Sequence, residues 1–190
     1  MNLLKFIFSI LVLVISTKAQ SQIFNGIPIS GRVENTIARL KSKGYKLIKK
    51  LDNVGYEMTG FLASQKIEMY VYYTPLTKQT AKIIIYFPEE NSYEGLLEEY
   101  NEYYDLLSIK YGPATKRNQN FLPPYKEGDG EELSAIKSEM GFVGSYWLNI
   151  NNLSLSISIS KYAQLKITYE NDQIMTKLES ENKTKLLKIL

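Results

Sequence analysis

Residues 81–112 read A-K-I-I-I-Y-F-P-E-E-N-S-Y-E-G-L-L-E-E-Y-N-E-Y-Y-D-L-L-S-I-K-Y-G, a strand, a turn and a long helix in succession. Lys82 to Phe87 is a β-branched and aromatic run, too short for a helix and ended by Pro88. Asn91 and Glu94 have the spacing of a capping box, in which each side chain satisfies an orphan backbone donor. Tyr93, Leu96, Leu97, Tyr100, Tyr104 and Leu107 then recur at steps of three and four, giving the helix one apolar face. Gly112-Pro113 stops it. The unit predicts a helix layered on a sheet, and hence an α+β fold.

Outward from this unit the same alternation of elements continues. Upstream, residues 20–30 form a turning lead-in around Gly26 and Pro28, with Ser30 placed as an N-cap. A helix over about Gly31 to Lys43 puts Val33, Ile37 and Leu40 on one side and Arg32, Arg39 and Lys41 on the solvated side. Strands are expected over 45–51, 56–63 and 67–74; in the last, Ile67, Met69, Val71 and Tyr73 alternate with Glu68, Tyr70 and Tyr72. The short gaps between them require antiparallel neighbours, since a parallel crossover needs a dozen residues. Downstream, residues 113–143 are irregular, with Pro123-Pro124, an acidic Gly-containing loop and one short helix at Glu131–Lys137.

A three-stranded meander follows over 145–150, 153–160 and 164–169. In its middle strand Leu153, Leu155, Ile157 and Ile159 alternate strictly with Ser154, Ser156, Ser158 and Ser160. A last helix from about Asn171 is expected to dock through Ile174 and Leu178 and to fray beyond. The whole is read as one domain over 20–190, an antiparallel meander sheet with helices on one face. It divides into two helix-plus-meander halves, about 20–112 and 113–190.

Residues 1–19 read as a cleaved secretory signal rather than part of the fold. Lys5 supplies the positive start, Phe6 to Ile15 the apolar stretch, and Thr17-Lys18-Ala19 the small-residue cleavage site. The apolar run falls short of the roughly 20 residues that span a bilayer. No membrane span is therefore expected after cleavage, and the expected location is secreted or periplasmic. The chain's 23 basic and 20 acidic residues include Lys5 and Lys18 of the leader and no leader acid, so a net charge of +3 falls to +1. Nucleic acid is not an expected partner, because its recognition needs a concentrated basic stripe. With no cysteine, a disulfide framework is excluded in a compartment that permits one.

Three short stretches carry a family resemblance: F-N-G-I-P-I-S-G (24–31), L-K-S-K-G-Y (40–45) and K-Y-G-P (110–113). Together with the central helix and the aromatic-rich second half, this pattern resembles uncharacterised secreted proteins of Bacteroides-type Gram-negative bacteria. The resemblance implies an envelope location and carries no functional residues with it. In architecture alone, the helix-plus-meander halves are similar to periplasmic β-lactamase-inhibitor-like and PepSY-like domains.

The residue types present exclude much chemistry. Without His or Cys the chain cannot build a Ser-His-Asp or Cys-His site, nor a zinc site of nitrogen and sulfur ligands. No cofactor or metal is expected. Glu89-Glu90 and Glu98-Glu99 are the carboxylate pairs that glycoside hydrolysis would need, although adjacent helical residues point in different directions. Glu127, Asp129, Glu131 and Glu132 cluster without the ligand spacing of a calcium loop. The remaining candidates are aromatics placed opposite core residues: Tyr70 and Tyr72 across from Met69 and Val71, Tyr86 across from Ile85 and Phe87, and Trp147 across from Tyr146 and Leu148. On one sheet these four form a flat surface for a protein or glycan partner. The competing expectation is that they serve only as cross-strand pairs or pack under the 113–143 segment. The leading expectation is thus a non-enzymatic binding domain; a carboxylate-dependent glycan hydrolase and a purely structural envelope protein are the alternatives.

Overall fold

A computed structural model describes residues 23–52 and 54–187, so the expected signal segment lies outside the described residues. A small hairpin opens the structure, β1 (Ile23–Phe24) and β2 (Ile27–Pro28). Its two-residue turn, Asn25-Gly26, takes left-handed φ values of 48° and 74°, the conformation an Asn-Gly pair adopts most readily. The first half then runs α1 (Val33–Ser42), β3 (Lys46–Leu51), β4 (Gly55–Leu62), β5 (Gln65–Tyr73) and β6 (Thr80–Glu89). The second runs α2 (Tyr93–Tyr111), β7 (Lys116–Phe121), α3 (Glu132–Lys137), β8 (Gly141–Ile150), β9 (Leu153–Ile159) and β10 (Gln164–Asn171), and α4 (Asp172–Leu187) closes the chain.

The larger sheet has eight antiparallel strands in the order β3-β4-β5-β6-β10-β9-β8-β7. Each half is a four-stranded meander, and the two join where β6 pairs with β10, from Lys82 opposite Glu170 to Tyr86 opposite Lys166. The expected α+β meander sheet is present, but the two meanders divide before α2 rather than after it at 112–113, and the second has a fourth strand. That strand is β7, in the segment expected to be irregular. Its sequence, K-R-N-Q-N-F, shows no apolar alternation because it is an edge strand with most side chains in solvent. Such polar, basic edges discourage pairing with another chain, and the opposite edge, K-L-I-K-K-L, is built alike.

The core lies between one face of this sheet and the helices α1 and α2. Met69, Val71, Ile83, Ile85, Phe87, Leu155, Ile157 and Ile167 are buried on that face. α1 adds Val33, Ile37 and Leu40, and α2 adds Leu96, Tyr100 and Leu107. Burying a side chain of this size contributes about 1.5–3 kcal/mol. Polar contacts fix the layers: Thr36 of α1 meets Thr80 of β6 at 2.7 Å, and Tyr100 of α2 meets Ser145 of β8 at 2.6 Å.

The helix starts differ from the expected ones. α2 is capped by Ser92, whose hydroxyl accepts from the Gly95 amide at 3.1 Å, while the Asn91 amide donates to Glu90. The Asn91–Glu94 box is not formed. α1 begins at Val33, and its first amide donates to the Lys78 carbonyl across the chain rather than to a side-chain cap. Tertiary contact thus replaces Ser30 as the cap. α4 is fastened at its start by Asn171, which accepts from the Ile174 amide and donates to the Ile29 carbonyl. It is also held further along, where the buried Glu181 accepts from the Leu76 and Thr77 amides and the Thr77 hydroxyl. Docking therefore extends beyond the first turns, through a carboxylate rather than an apolar side chain.

Candidate functional site

The face of the sheet opposite α1 and α2 carries side chains in cross-strand rows. One row runs Thr59, Glu68, Tyr86, Lys166, Ser158, Gly144 and Asn118, each residue directly opposite the next. The next runs Glu57, Tyr70, Ile84, Thr168, Ser156, Tyr146 and Lys116. A third contains Tyr72, Lys82, Glu170 and Ser154. Two shallow depressions on this face are lined by strand residues and the β9–β10 turn, with no helix over them among the described residues. At one end α3 reaches the rim through Ile136.

The depression over β5, β6 and β10 has a volume of about 280 Å³ and is lined by Glu68, Tyr70, Tyr72, Tyr86, Tyr162 and Gln164. Three of the four expected aromatics, Tyr70, Tyr72 and Tyr86, therefore come together here, each half-buried. Tyr70 and Tyr86 meet edge to face, with centroids 5.8 Å apart and an interplanar angle of 86°. Burial pushes the Tyr70 phenol above its ordinary pKa, and the neighbouring carboxylates Glu57 and Glu68 push it further. Burial likewise raises Tyr86, with Tyr72 and Tyr162 adding to it. Both phenols stay neutral near pH 7, able to donate as well as accept. Lys82 places its ammonium 5.5 Å from the centre of the Tyr72 ring and pairs with Glu170 at 3.4 Å.

Trp147 is not on this face. It is 1% exposed, faces the helices, packs on Tyr104 at 5.6 Å and donates from Nε1 to the Gly112 carbonyl at 2.7 Å. The expectation failed because it took Tyr146, Leu148 and Ile150 as one face. The register shift between Trp147 and Ile150, with Asn149 at φ 57°, inserts residues that change the strand's phase. Trp147 and Ile150 consequently both face inward, while Tyr146 faces out and Leu148 is 44% exposed.

Several residues of the open face escaped the sequence reading. Tyr162 sits in a turn, where strand alternation says nothing about direction. Tyr146 was hidden by the wrong phase on β8, and Phe142, stacked on it at 6.4 Å, fell in the stretch expected to be irregular. The signal that finds them is the register with β9, whose alternating serines mark the outward side. Lys166, in the middle of the face, lines both depressions beside the tyrosine one. Burial lowers its pKa, Lys82 lowers it further, and Glu170 partly offsets both.

The acidic candidates are differently placed. Glu89, Glu90, Glu98, Glu99 and Glu102 surround a recess of about 320 Å³ with Gln65, where β6 turns into α2. Burial raises the Glu99 pKa, Gln65 lowers it through a hydrogen bond, and Glu90 and Glu102 raise it again. Glu90 is engaged with the Asn91 and Ser92 amides, and Glu89 approaches Lys137 at 3.8 Å. In the 127–132 loop the carboxylates turn to backbone amides: Asp129 accepts from Lys126 and Glu131, and Glu132 from Gly128. Among the described residues no group of three or more acids is arranged to hold a metal ion, and no helix is long and apolar enough to cross a membrane. Comparison of the chain with protein families, with curated proteins and with solved structures finds no match.

Proposed function

We propose that the protein is an exported, non-enzymatic binding domain that holds its partner against the sheet face opposite α1 and α2, around Tyr70, Tyr72 and Tyr86. The observation that carries this reading is the tyrosine-lined depression on a face that no helix covers among the described residues. Cross-strand pairing accounts for Tyr70 and Tyr86 lying against each other, but not for Tyr72 and Tyr162 around the same depression. Outward positions of a one-sided sheet are commonly polar, as the serines of β9 are, whereas β5 and β6 present large amphipathic rings there. Tyrosines of this kind supply contact area at a low entropic cost and are favoured where partners bind. Export rests on the reading of residues 1–19 as a signal, and the partner's class remains a protein or a glycan.

The test is capture from envelope extract and binding to immobilised glycans, with the wild-type protein beside Tyr70→Ala and Tyr86→Ala. A partner retained by the wild type and lost by both variants, with thermal unfolding nearly unchanged, is the expected result. Retention by both variants overturns the reading.

A second reading, hydrolysis of a glycan by a carboxylate pair, has one observation in its favour. The five glutamates at the start of α2 share a recess, and burial favours the protonated form of Glu99, as a general acid requires. Turnover of a sugar polymer that Glu99→Gln abolishes would establish it.

A further inference from the structure

The tyrosine depression has a charge character that narrows its ligand. Of its six lining residues four are tyrosines, the one acid is Glu68, and none is basic. Glu68 stands directly opposite Tyr86 in the β5–β6 ladder. The perpendicular rings of Tyr70 and Tyr86 form two walls of a corner, with Tyr72 and the 63%-exposed Tyr162 completing the surround. The nearby lysines do not reverse this sign. Lys82 is paired with Glu170, Lys161 is paired with Glu139 at 3.1 Å, and Lys166 lines the neighbouring depressions rather than this one.

Aromatic faces carry a negative quadrupole that attracts cations, and several rings about one carboxylate are a natural receptor for an organic cation. The molecule already makes such contacts on two of these tyrosines: Lys82 lies over Tyr72, and Lys161 lies 5.7 Å from the centre of Tyr162. The kind of cation follows from hydration. A primary ammonium is a compact, strongly hydrated charge. Glu68, the Gln164 carbonyl oxygen and the phenol oxygens can all accept from an N–H, so what separates the two classes of cation is the cost of stripping that hydration against walls made mostly of rings. A quaternary ammonium has no N–H to satisfy and presents methyl groups to the rings.

We infer that the depression formed by Glu68, Tyr70, Tyr72, Tyr86 and Tyr162 binds a quaternary-ammonium group carried by the partner. A volume of about 280 Å³ holds such a headgroup with room for a short tail. This inference rests on the sheet-face reading above and specifies its ligand.

The experiment is titration of the purified protein with choline and with its neutral isostere, 3,3-dimethyl-1-butanol, followed by NMR and calorimetry. Choline is expected to shift resonances of β5 and β6, with the neutral isostere about tenfold weaker. Glu68→Gln, which keeps size and polarity, should weaken choline several-fold, and Tyr86→Ala should abolish its binding. Equal affinity for both probes, no binding of choline, or indifference to Glu68→Gln each overturns the inference. The two claims fail separately. A captured partner that Tyr86→Ala loses, but that excess choline and Glu68→Gln leave in place, keeps the sheet-face reading and sinks the cation site. A partner that both Tyr70→Ala and Tyr86→Ala retain sinks the sheet-face reading.

Discussion

Trp147 donates from Nε1 to the carbonyl of Gly112 at 2.7 Å, so an indole in β8 latches the C-terminal end of the helix that begins the same half. Gly112 is the residue that ends α2, at φ 83°, a left-handed value that glycine adopts without strain. The contact joins a buried donor to a carbonyl freed by the helix end. Trp147→Phe keeps most of the apolar volume and orphans that carbonyl, and should cost about 1–3 kcal/mol in chemical denaturation. Trp147→Ala adds a cavity and should cost about 3–5 kcal/mol. Neither change should alter choline binding at the tyrosine depression, which lies on the opposite face.

Glu181 makes the fastening of α4 depend on acidity. Burial pushes its carboxyl up, but hydrogen bonds from the Thr77 hydroxyl and the Leu76 and Thr77 amides, with Lys177 nearby, bring it below the ordinary value of 4.5. A carboxylate lowered on folding stabilises above the unfolded value, and the contribution is lost as pH falls through the folded one. The amides of Leu76 and Thr77 should therefore stay protected from hydrogen exchange above about pH 4.5 and lose protection progressively below it. Glu181→Gln should lower protection at neutral pH and remove that dependence. A pH profile unchanged by the substitution would rule Glu181 out as the cause.

The elements most easily read from sequence are those with two unlike faces. β5 and β9 alternate because one side is buried and the other is not, and α2 shows its stripe for the same reason. β7 could not be read this way, since its edge position leaves neither face demanding apolar residues. Trp147 was misplaced because a bulge is a property of two strands together, and one strand's letters do not reveal which residue is extra. Within the tyrosine depression, Tyr70, Tyr72 and Tyr86 were legible from alternation alone. Tyr162 needed the turn's position in space, and Glu68 needed the register that sets it opposite Tyr86. The recess of glutamates was legible only as two adjacent pairs, because its closure depends on where β6 delivers the chain into α2.

Thr36 and Thr80 are a buried hydroxyl pair, 2.7 Å apart, between α1 and the first residue of β6. Removing one partner leaves the other without its bond in a dry site, whereas removing both leaves nothing unsatisfied. Thr80→Val alone should destabilise by about 1–3 kcal/mol, and the double change Thr36→Val with Thr80→Val by clearly less. Denaturant titration of the four proteins in this cycle checks the sign. A double variant as unstable as the sum of its parts would mean that the two hydroxyls act independently.

Gly60 is required for a steric reason rather than a conformational one. It faces inward on β4 opposite Ile67, and a Cβ built there would overlap the ring of Tyr45. That ring is buried, accepts at its hydroxyl from the Asn25 amide group at 3.2 Å, and packs against Phe24 at 6.1 Å. It cannot move away without disturbing the opening hairpin. Gly60→Ala should therefore cost about 1–3 kcal/mol, the usual range for overpacking a filled core. The same substitution in a Tyr45→Ala background has room for the new methyl and should cost little. Thermal unfolding of both pairs gives the coupling directly, and an equal cost in the two backgrounds would show that the ring of Tyr45 is not what excludes a side chain at position 60.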